Sequence, residues 1–456
     1  MSSYSKFTFD RSGQGLFYHG QIRLNASYTV DGSMRAAEKK FTVVYDCGTF
    51  KGIKGASQNL SKVVDRYHES ADMANNRSIG LLAISHFDFD HVSHIPELLR
   101  YCKVENVMLP HIAEELRVVL LAKSISNSYE GDNSDNIEQG WNEELTRLFL
   151  DPIGYFSERG ADQIIGVQGD DEPDDDNPNS DFPKDDKPFH LFKPHWDDSN
   201  ITDGSERLHL RYVGDGKLQS SDEAHPPIYA VYSGSPAFRI QTNRSAWLFR
   251  PLNVQEKLPK SFYDEVKRVR MQHNNGWWTL LSTRTGINQL RDIYDLYIGK
   301  GRRNAHSLLL RHEPELRSSL THNKIRCRNR KCKCMRYMEC CEFHNYDCCN
   351  ASATVLLGDL ELDGNARAVI EKHRFLDYKT SVVLVPHHGA ESDDIIWLDR
   401  KARDYDAYSV LVVSYGTNNT YGHPRFIFDG TMAHMRTFTA FANEDNEFRY
   451  GVIIHD

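Results

Sequence analysis

Two histidines and two aspartates crowd into six positions of the segment SHFDFDHVSHIPELL (85–99). They follow the apolar run IGLLAI and precede a predicted helix: His86, Asp88, Asp90 and His91. Imidazole and carboxylate groups at this density must shift their pKa values or stay fully solvated, unless a cation offsets their repulsion and desolvation. We therefore interpret the cluster as metal ligands; solvated groups that bind nothing are the alternative.

A strand that feeds a tight loop and then a helix explains how these side chains can meet. Alternate positions 86, 88 and 90 can converge, while His91 turns to the neighbouring side. The loop can serve two cations, with His86 and Asp88 on one and Asp90 and His91 on the other. Two cations about 4 Å apart activate water and stabilise the attacking and leaving oxygens of a phosphoryl displacement. This chemistry suits phosphodiester hydrolysis, although similar sites hydrolyse lactams, thioesters and lactones, so a fold alone does not choose the substrate.

The elements that position this loop can be read from seven short apolar runs rich in β-branched residues. Their length and composition predict buried strands: FTVVYD (41–46), IGLLAIS (79–85), VENVMLP (104–110), SLLLR (307–311), TVLLGD (354–359), SVVLVPHH (381–388) and SVLVVSYG (409–416). Helical patterns lie between the runs, such as HIAEELRVVLLAKSI (111–125) and NARAVIEKHRFL (365–376). This alternation predicts a layered α/β domain.

The pattern His-x-Asp-x-Asp-His after a strand resembles the metallo-β-lactamase superfamily signature, His-x-His-x-Asp-His. With Asp88 in place of the second His, it resembles the soluble hydrolase domain of the ComEC family of DNA-uptake proteins. Six more segments resemble motifs of that domain in the same order: GQGLFYHGQI (13–22), VVYDCG (43–48), NAHSLLL (304–310), VLLGD (355–359), LVPHHG (384–389) and VSYGTNNTYGHP (413–424). The resemblance covers residues 10–121 and 304–456.

The resemblance implies an α/β fold of the metallo-β-lactamase type, an αββα sandwich with an N-terminal half at 1–121 and a C-terminal half at 304–456. A large insertion, 122–303, would separate the halves, and a small Cys-rich zinc-binding insertion, 321–350, would lie within the second. Strand signals weaken in 122–303. The tract 169–188 is too acidic and Pro-rich to pack, so we expect a disordered, solvated loop there.

The resemblance also implies which side chains bind metal. Asp46 would be a supporting carboxylate, Asp359 would bridge two cations, and His388 or its neighbour His387 would be a further ligand. The implied metal ligands are His86, Asp88, Asp90, His91, Asp359 and His388.

The implied catalytic residues are Asp90, His387 and His423. Either histidine would protonate the leaving oxygen or hold a phosphate oxygen. A lone His before Pro is otherwise an ordinary turn residue, which is the alternative for His423.

The sequence departs from the superfamily pattern at two places. The usual middle ligand, a His in a Gly-His-Thr turn, is not evident; Asn304 and His306 fall in that region, so one cation would have fewer ligands. The carboxylate of Asp88 makes the cluster richer in oxygen, which shifts metal preference from Zn²⁺ toward Mn²⁺ or Mg²⁺. The expected cofactors are therefore divalent metal ions, Zn²⁺ or Mn²⁺, with Mg²⁺ as a further option.

Seven of the nine cysteines lie in the segment KIRCRNRKCKCMRYMECCEFHNYDCC (324–349). Thiolates with a nearby imidazole predict a tetrahedral structural zinc, for which the candidate ligands are Cys327, Cys332, Cys334, Cys340, Cys341, His344, Cys348 and Cys349. No Cys-x2-Cys pair of knuckles fixes the assignment, and redox-active or merely clustered thiols are the alternative. Seven basic residues and no acid between Lys324 and Arg336 indicate either a grip on a nucleic-acid backbone or a solvated rim.

Composition bounds the remaining functions. A formal net charge of −9 argues against nonspecific coating of nucleic acid by the whole surface. No apolar run approaches the roughly 20 residues of a membrane span, and the start MSSYSKFTFD lacks a signal-peptide core, so we expect a cytoplasmic protein.

The expected function is a metal-dependent hydrolase, a phosphodiesterase or nuclease with DNA or RNA as substrate. The type of protein also suggests a partner such as an ATPase, in a DNA-handling or anti-phage defence system. A regulatory or scaffolding subunit with an incomplete metal site is one alternative, and a small-molecule metallohydrolase is another.

Overall fold

Each of the seven apolar runs contains a β-strand, so the predicted mixed α/β content is confirmed. The computed structural model describes residues 2–30, 33–50, 56–70, 77–129, 143–169, 208–213, 218–220, 228–232, 237–255, 258–273, 276–299, 306–315, 352–405, 410–417, 419, 422–425, 435 and 437–455. The acidic tract beyond Gly169 and the Cys-rich insertion 321–350 lie outside these residues. The predicted acidic loop and structural zinc therefore stay predictions.

The first sheet has nine strands among the described residues. In spatial order they are β17 (Phe448–His455), β1 (Ser2–Phe9), β2 (Tyr18–Val30), β3 (Ser33–Tyr45), β4 (Ser78–Ala83), β5 (Lys103–Pro110), β6 (Gln163–Gln168), β9 (Ile228–Tyr232) and β8 (Leu218–Ser220). Strands β3, β4, β5, β6 and β9 run parallel, and the other neighbours pair antiparallel. All six residues of β4 are buried, as expected for a parallel strand covered on both faces.

The second sheet has eight strands in the described part of the chain. Their spatial order is β16 (Phe438–Ala442), β15 (Val410–Ser414), β14 (Thr380–Leu384), β13 (Ala353–Leu356), β12 (His306–Glu315), β11 (Ala246–Gln255), β10 (Phe238–Gln241) and β7 (Arg211–Tyr212). Strands β13 to β16 are parallel, whereas β7, β10, β11, β12 and β13 pair antiparallel. Both sheets are therefore mixed.

Helices cover the outer face of each sheet. Against the first sheet lie α1 (Ala56–Glu69), α2 (Phe89–Val92), α3 (Ile95–Leu98), α4 (Glu114–Tyr129), α5 (Glu143–Leu150), α6 (Pro152–Glu158), α7 (Lys260–Gln272), α8 (Trp277–Leu281) and α9 (Arg284–Tyr294), which continues as a π-helical turn (Asp295–Gly299). Against the second lie α10 (Gly364–Lys372) and α11 (Ser392–Asp404), and a 3₁₀ turn (Pro386–Gly389) follows β14. Asp363 begins α10 by accepting a hydrogen bond from the amide of Ala366 at 2.8 Å, an ordinary N-cap.

Three apolar clusters separate these layers. One lies between the first sheet and its helices, one between the two sheets, and one between the second sheet and α10 and α11. Burial of each large apolar side chain contributes roughly 1.5–3 kcal/mol. The order of layers is thus helices, sheet, sheet, helices.

The described parts of 122–303 supply strands to both sheets. β6, β8 and β9 extend the first sheet and β7, β10 and β11 extend the second. Helix α4 runs across position 121. No helix in the described residues is long and apolar enough to cross a membrane.

Candidate metal centre

The two sheets meet at the edge where several parallel strands end. In the first sheet these ends are those of β3 and β4, and in the second those of β13, β14 and β15. The amide of Leu308 in β12 donates to the carbonyl of Ser85 at 2.7 Å, and the Tyr45 hydroxyl donates to the carbonyl of Leu308 at 2.7 Å. Loops at the carboxyl ends of parallel strands are a common place for sites in α/β folds.

Four predicted ligands converge at this edge. One ligand atom from each of Asp90, His91, Asp359 and His388 lies within 4.8 Å of the others, the single such group in the described part of the chain. Nε2 of His91 is 3.2 Å from Oδ1 of Asp359. Nε2 of His388 is 3.3 Å from Oδ2 of Asp90 and 3.6 Å from Oδ2 of Asp359. Of the two candidates in the Pro-His-His-Gly segment, His388 rather than His387 joins the group.

A buried carboxylate orients His91. Asp46, fully buried after β3, lies with Oδ2 2.8 Å from Nδ1 of His91. Its two oxygens also accept the amide of Ser85 at 2.7 Å and the Ser85 hydroxyl at 2.5 Å. A carboxylate that accepts a hydrogen bond from Nδ1 keeps the ring proton there, so Nε2 of the neutral imidazole carries a lone pair. Asp46 thus has the supporting position that the motif predicted.

His388 is held by the backbone of a neighbouring strand. Its Nδ1 donates to the carbonyl of Ser414, at the end of β15, at 2.7 Å. Neutral His388 therefore presents an Nε2 lone pair to the carboxylates of Asp90 and Asp359. Carbonyl and carboxylate partners of this kind fix the tautomer of metal-binding histidines.

These donors fit a cation because every convergent atom is an electron-pair donor. Among the described residues, Nε2 of His91 is buried with no well-formed hydrogen bond, and Oδ1 of Asp359 lies 3.2 Å away. A lone pair that faces a carboxylate at this distance is repulsive unless a proton or a metal ion lies between them. Two imidazole nitrogens and two carboxylates suit Zn²⁺ or Mn²⁺.

The same contacts shift the pKa values of the ligand side chains in the metal-free site. Burial lowers the pKa of His91, but Asp359 and Asp46 outweigh burial and hold this pKa well above its usual value. Burial also lowers the pKa of His388, whereas Asp359 and Asp90 raise it, with a net increase. Burial raises the pKa of Asp359, but His388 and His91 hold it well below its usual range. Protons therefore take the place of a cation when none is bound.

His86 and Asp88 form a second, more open pair. Nε2 of His86 lies 3.7 Å from Oδ2 of Asp88, whose side chain is 29% exposed. Burial, followed by the charge of His91, lowers the pKa of His86 to about 3. Its Nε2 is buried and has no hydrogen-bond partner among the described residues, so the neutral ring can offer an electron pair to a cation. These two predicted ligands lie beside the four-atom group but do not belong to it.

Several residues of the site have left-handed backbone conformations. Asp46, His387 and His388 have φ values of +56°, +49° and +53°, which cost side-chain-bearing residues about 1–3 kcal/mol each. Gly358, before Asp359, has φ +56°, and a Cβ there would lie 2.4 Å from the Ser307 hydroxyl. Glycine is therefore required at position 358, directly before the carboxylate of Asp359.

The other predicted catalytic groups lie next to each other. The rings of His387 and His423 are 5.6 Å apart, and both side chains are half-buried. Asn419 holds the loop of His423, since its Oδ1 accepts the His423 amide at 3.1 Å and its Nδ2 donates to the His423 carbonyl at 2.8 Å. Neither histidine belongs to the four-atom group. Their catalytic role stays a prediction.

The region of the absent middle ligand holds one buried imidazole. His306 begins β12 with 8% of its surface exposed, and no described residue forms a hydrogen bond with either of its ring nitrogens. Burial lowers its pKa to about 4. It does not join the four-atom group, and Asn304 lies outside the described residues.

No protein-family model matches this chain, and no curated protein matches it. The resemblance to the metallo-β-lactamase superfamily therefore depends on the motifs alone.

Sequence reasoning missed two residues that support the ligands. Ser85 links Asp46 to His86, whose Nδ1 lies 2.7 Å from the Ser85 hydroxyl. Ser414 accepts from His388. Ser85 directly precedes the first ligand, and that adjacency was the available signal.

Proposed function

We propose that this chain is a metal-dependent phosphodiesterase that cleaves nucleic acid, with a fold of the metallo-β-lactamase type. The four layers agree with an αββα sandwich, and the motifs that resemble the ComEC-type domain lie at the ends of the central strands. The observation that carries the proposal is the convergence of Asp90, His91, Asp359 and His388 within 4.8 Å.

The roles of the side chains follow from their geometry. A divalent cation held by these four groups would lower the pKa of a water molecule and polarise a phosphoryl oxygen. Asp46 and Ser414 keep Nε2 of His91 and His388 available by holding the opposite ring nitrogens. His86 and Asp88 provide two further donors beside the first four.

The pair His387 and His423 is assigned to the leaving group. Half-buried imidazoles are accessible to substrate, and an imidazole can donate a proton to a leaving oxygen. Since the two rings lie 5.6 Å apart, both can approach one phosphate.

The experiment is cleavage of end-labelled single- and double-stranded DNA and RNA with Mn²⁺, Mg²⁺ or Zn²⁺ added separately. Asp90→Ala and Asp359→Ala should abolish metal-dependent cleavage while circular dichroism shows an intact fold. Asp393→Ala, an exposed acid in α11, is the matched control and should cleave normally. Unchanged cleavage by either ligand variant would contradict the proposal.

One observation favours a second function. His86 and Asp88 fall outside the four-atom group, as an incomplete two-cation site would require. A regulatory or scaffolding subunit would then bind one cation without catalysis. Tight binding of a single cation, with none of the labelled substrates cleaved, would select this alternative.

A further inference from the structure

A cleft of about 450 Å³ lies beside helix α1, the loop 10–17 that joins β1 to β2, and the loop that follows β16. It is lined by Arg11, Asn59, Lys62, Val63, Asp65, Arg66 and Glu444. Its volume is within the range of roughly 300–1,000 Å³ for ligand sites. Three of the described lining side chains are cationic and none is aromatic.

One face of α1 supplies most of this lining. Asn59, Lys62, Val63 and Arg66 are spaced i, i+3, i+4 and i+7, which places them on the same side of a helix. Val63 packs into the core with 2% of its surface exposed, whereas Lys62 and Arg66 are exposed. In the described residues neither of these two cations forms an ion pair, and Arg66 donates only to the Lys62 carbonyl, at 3.2 Å. Their charges are available to a ligand.

The acids of the cleft offset these cations only in part. Oε2 of Glu444 accepts the amide of Thr417 at 2.9 Å and its hydroxyl at 3.1 Å. Arg11 pairs with Glu447 at 3.2 Å, and Asp65 is exposed on α1. Glu444 keeps its charge, so three cations against two carboxylates leave the described lining with a net formal charge of +1. Lys62 and Arg66 are the cations that would attract an anion.

The loop that lines the cleft also contacts the metal centre. The carbonyl of Gly15 accepts the Ser414 hydroxyl at 2.6 Å, and the Ser414 carbonyl accepts Nδ1 of His388 at 2.7 Å. Arg11 and Gly15 are four residues apart, at most about 14 Å along the chain. A strand of a few nucleotides can span from the cleft to the ligands.

We propose that this cleft binds the phosphodiester backbone of a nucleic-acid strand whose scissile bond lies at the metal centre. The inference rests on the proposed function. Lys62 and Arg66 contact phosphates on one side of that bond, with Arg11 at the rim. Because none of the described lining residues is aromatic, the cleft is expected to read backbone charge and not sequence.

The test measures binding and cleavage separately. A fluorescent 12-nucleotide single-stranded DNA is titrated with the full chain in EDTA, at several salt concentrations, and affinity is read by anisotropy. Lys62→Ala/Arg66→Ala is compared with Arg35→Ala/Lys40→Ala. The control pair is exposed on β3, where Arg35 lies ten residues from Tyr45, about 33 Å along the strand. Metal-dependent hydrolysis of bis(p-nitrophenyl) phosphate reports the metal centre, since this substrate has a single phosphate and no second phosphodiester to place in the cleft.

The cleft variant should bind DNA about tenfold more weakly at 0.1 M salt, and its slope of log affinity against log salt should be smaller by about 1.4, or 0.7 per lost phosphate contact. Its hydrolysis of the small substrate should equal that of the wild type. Equal affinity and slope in the cleft variant and the wild type would overturn the inference, as would an equal loss in the control pair. Binding of a 12-residue oligoglutamate as tightly as DNA would also overturn it. Failure of the wild type to hydrolyse the small diester, with DNA binding lost only in the cleft variant, would instead reject the phosphodiesterase.

Discussion

The hydroxyl of Ser85 donates to Oδ2 of Asp46 at 2.5 Å. This contact links His86 to His91, both candidate metal ligands. Since the hydroxyl proton is used there, Ser85 Oγ accepts from Nδ1 of His86 at 2.7 Å. Asp46 meanwhile accepts from Nδ1 of His91 at 2.8 Å. One carboxylate, through one serine, therefore fixes the tautomers of both imidazoles.

Removal of this hydroxyl should weaken metal binding without removing a ligand. Ser85→Ala frees Nδ1 of His86 and takes one donor from Asp46, and loss of such partners typically costs 10–100-fold in metal affinity. Calorimetric titration with Zn²⁺ or Mn²⁺ measures the change. Ser381→Ala removes an equally buried serine whose hydroxyl donates, within the described residues, to the Ala353 carbonyl alone, and it should retain wild-type affinity. Equal affinities in both variants would show that the link is dispensable.

The two groups of ligands should bind cations with unequal affinity. The four-atom group should bind one ion tightly, and the pair of His86 and Asp88 should bind a second more weakly. Asp359→Asn should reduce the tight affinity by roughly 100-fold or more, because it removes a ligand and not only a partner of one. Asp88→Asn should leave the tight step unchanged and remove the weak one. Elemental analysis after dialysis, combined with titration, counts the ions; a tight step lost in Asp88→Asn would contradict this order.

Metal binding should release protons. Neighbouring carboxylates raise the pKa values of His91 and His388, so these imidazoles keep their protons to higher pH in the metal-free protein, and a cation must displace the protons. Affinity should therefore increase with pH and level off above the raised values. Calorimetry at pH 6.5 in buffers of different ionisation enthalpy gives the number of protons released, which should be greater than zero and should fall as the pH is raised. A value of zero would mean that the ion binds elsewhere.

Acidic pH should lower the free energy of unfolding through protonation of His312, which is not one of the candidate metal ligands. His312 lies between the sheets, accepts from Trp247 Nε1 at 3.3 Å and contacts the Tyr18 hydroxyl at 2.7 Å. Burial lowers its pKa to about 3. The unfolded chain takes up this proton near pH 6.5 and the folded chain near pH 3, so the free energy of unfolding falls by up to about 1.4 kcal/mol per pH unit between these values.

The substitution His312→Gln tests this linkage because glutamine can keep both hydrogen bonds but does not titrate. Urea unfolding between pH 4.5 and 6.5 should show a shallower loss of stability, by about 1.4 kcal/mol per pH unit. A slope identical in the wild type and His312→Gln would refute the assignment.

Replacement of glycine by alanine should be tolerated at Gly364 and should be destabilising at Gly15. A Cβ on Gly15 would lie 2.3 Å from the Gly48 carbonyl oxygen and 2.6 Å from that of Asp90, so Gly15→Ala must displace backbone beside the ligands. We expect a loss of about 1–3 kcal/mol in the free energy of unfolding and weaker metal binding. Gly364 in α10 has no atom within 4 Å of such a Cβ, and Gly364→Ala should stabilise by about 0.5–1 kcal/mol. Thermal unfolding measures both; a harmless Gly15→Ala would disprove the close approach.

The central strands and the ligands could be predicted because their signals are local. Buried parallel strands are short apolar runs, and a ligand that follows such a run is placed at the sheet edge by the strand itself. Asp90, His91 and Asp359 are of this kind. The choice between His387 and His388 could not be made from sequence, since it depends on the left-handed backbone at both residues and on the Ser414 carbonyl in a different strand.

The strands within 122–303 were harder to predict for physical reasons. β7, β8 and β10 have two to four residues, too few for a hydrophobic period to be visible. Pro251 lies inside β11, opposite Leu310 of β12, although proline usually argues against a central strand. These strands depend on packing between the sheets, which no local pattern encodes.

Each sheet contributes two of the four ligands: Asp90 and His91 follow β4, whereas Asp359 and His388 follow β13 and β14. If the polypeptide were expressed as two pieces divided between residues 91 and 359, neither piece would carry more than half of the donors. High metal affinity would then return only when the pieces reassociate, so a bound paramagnetic or luminescent ion would serve as a reporter of fragment complementation.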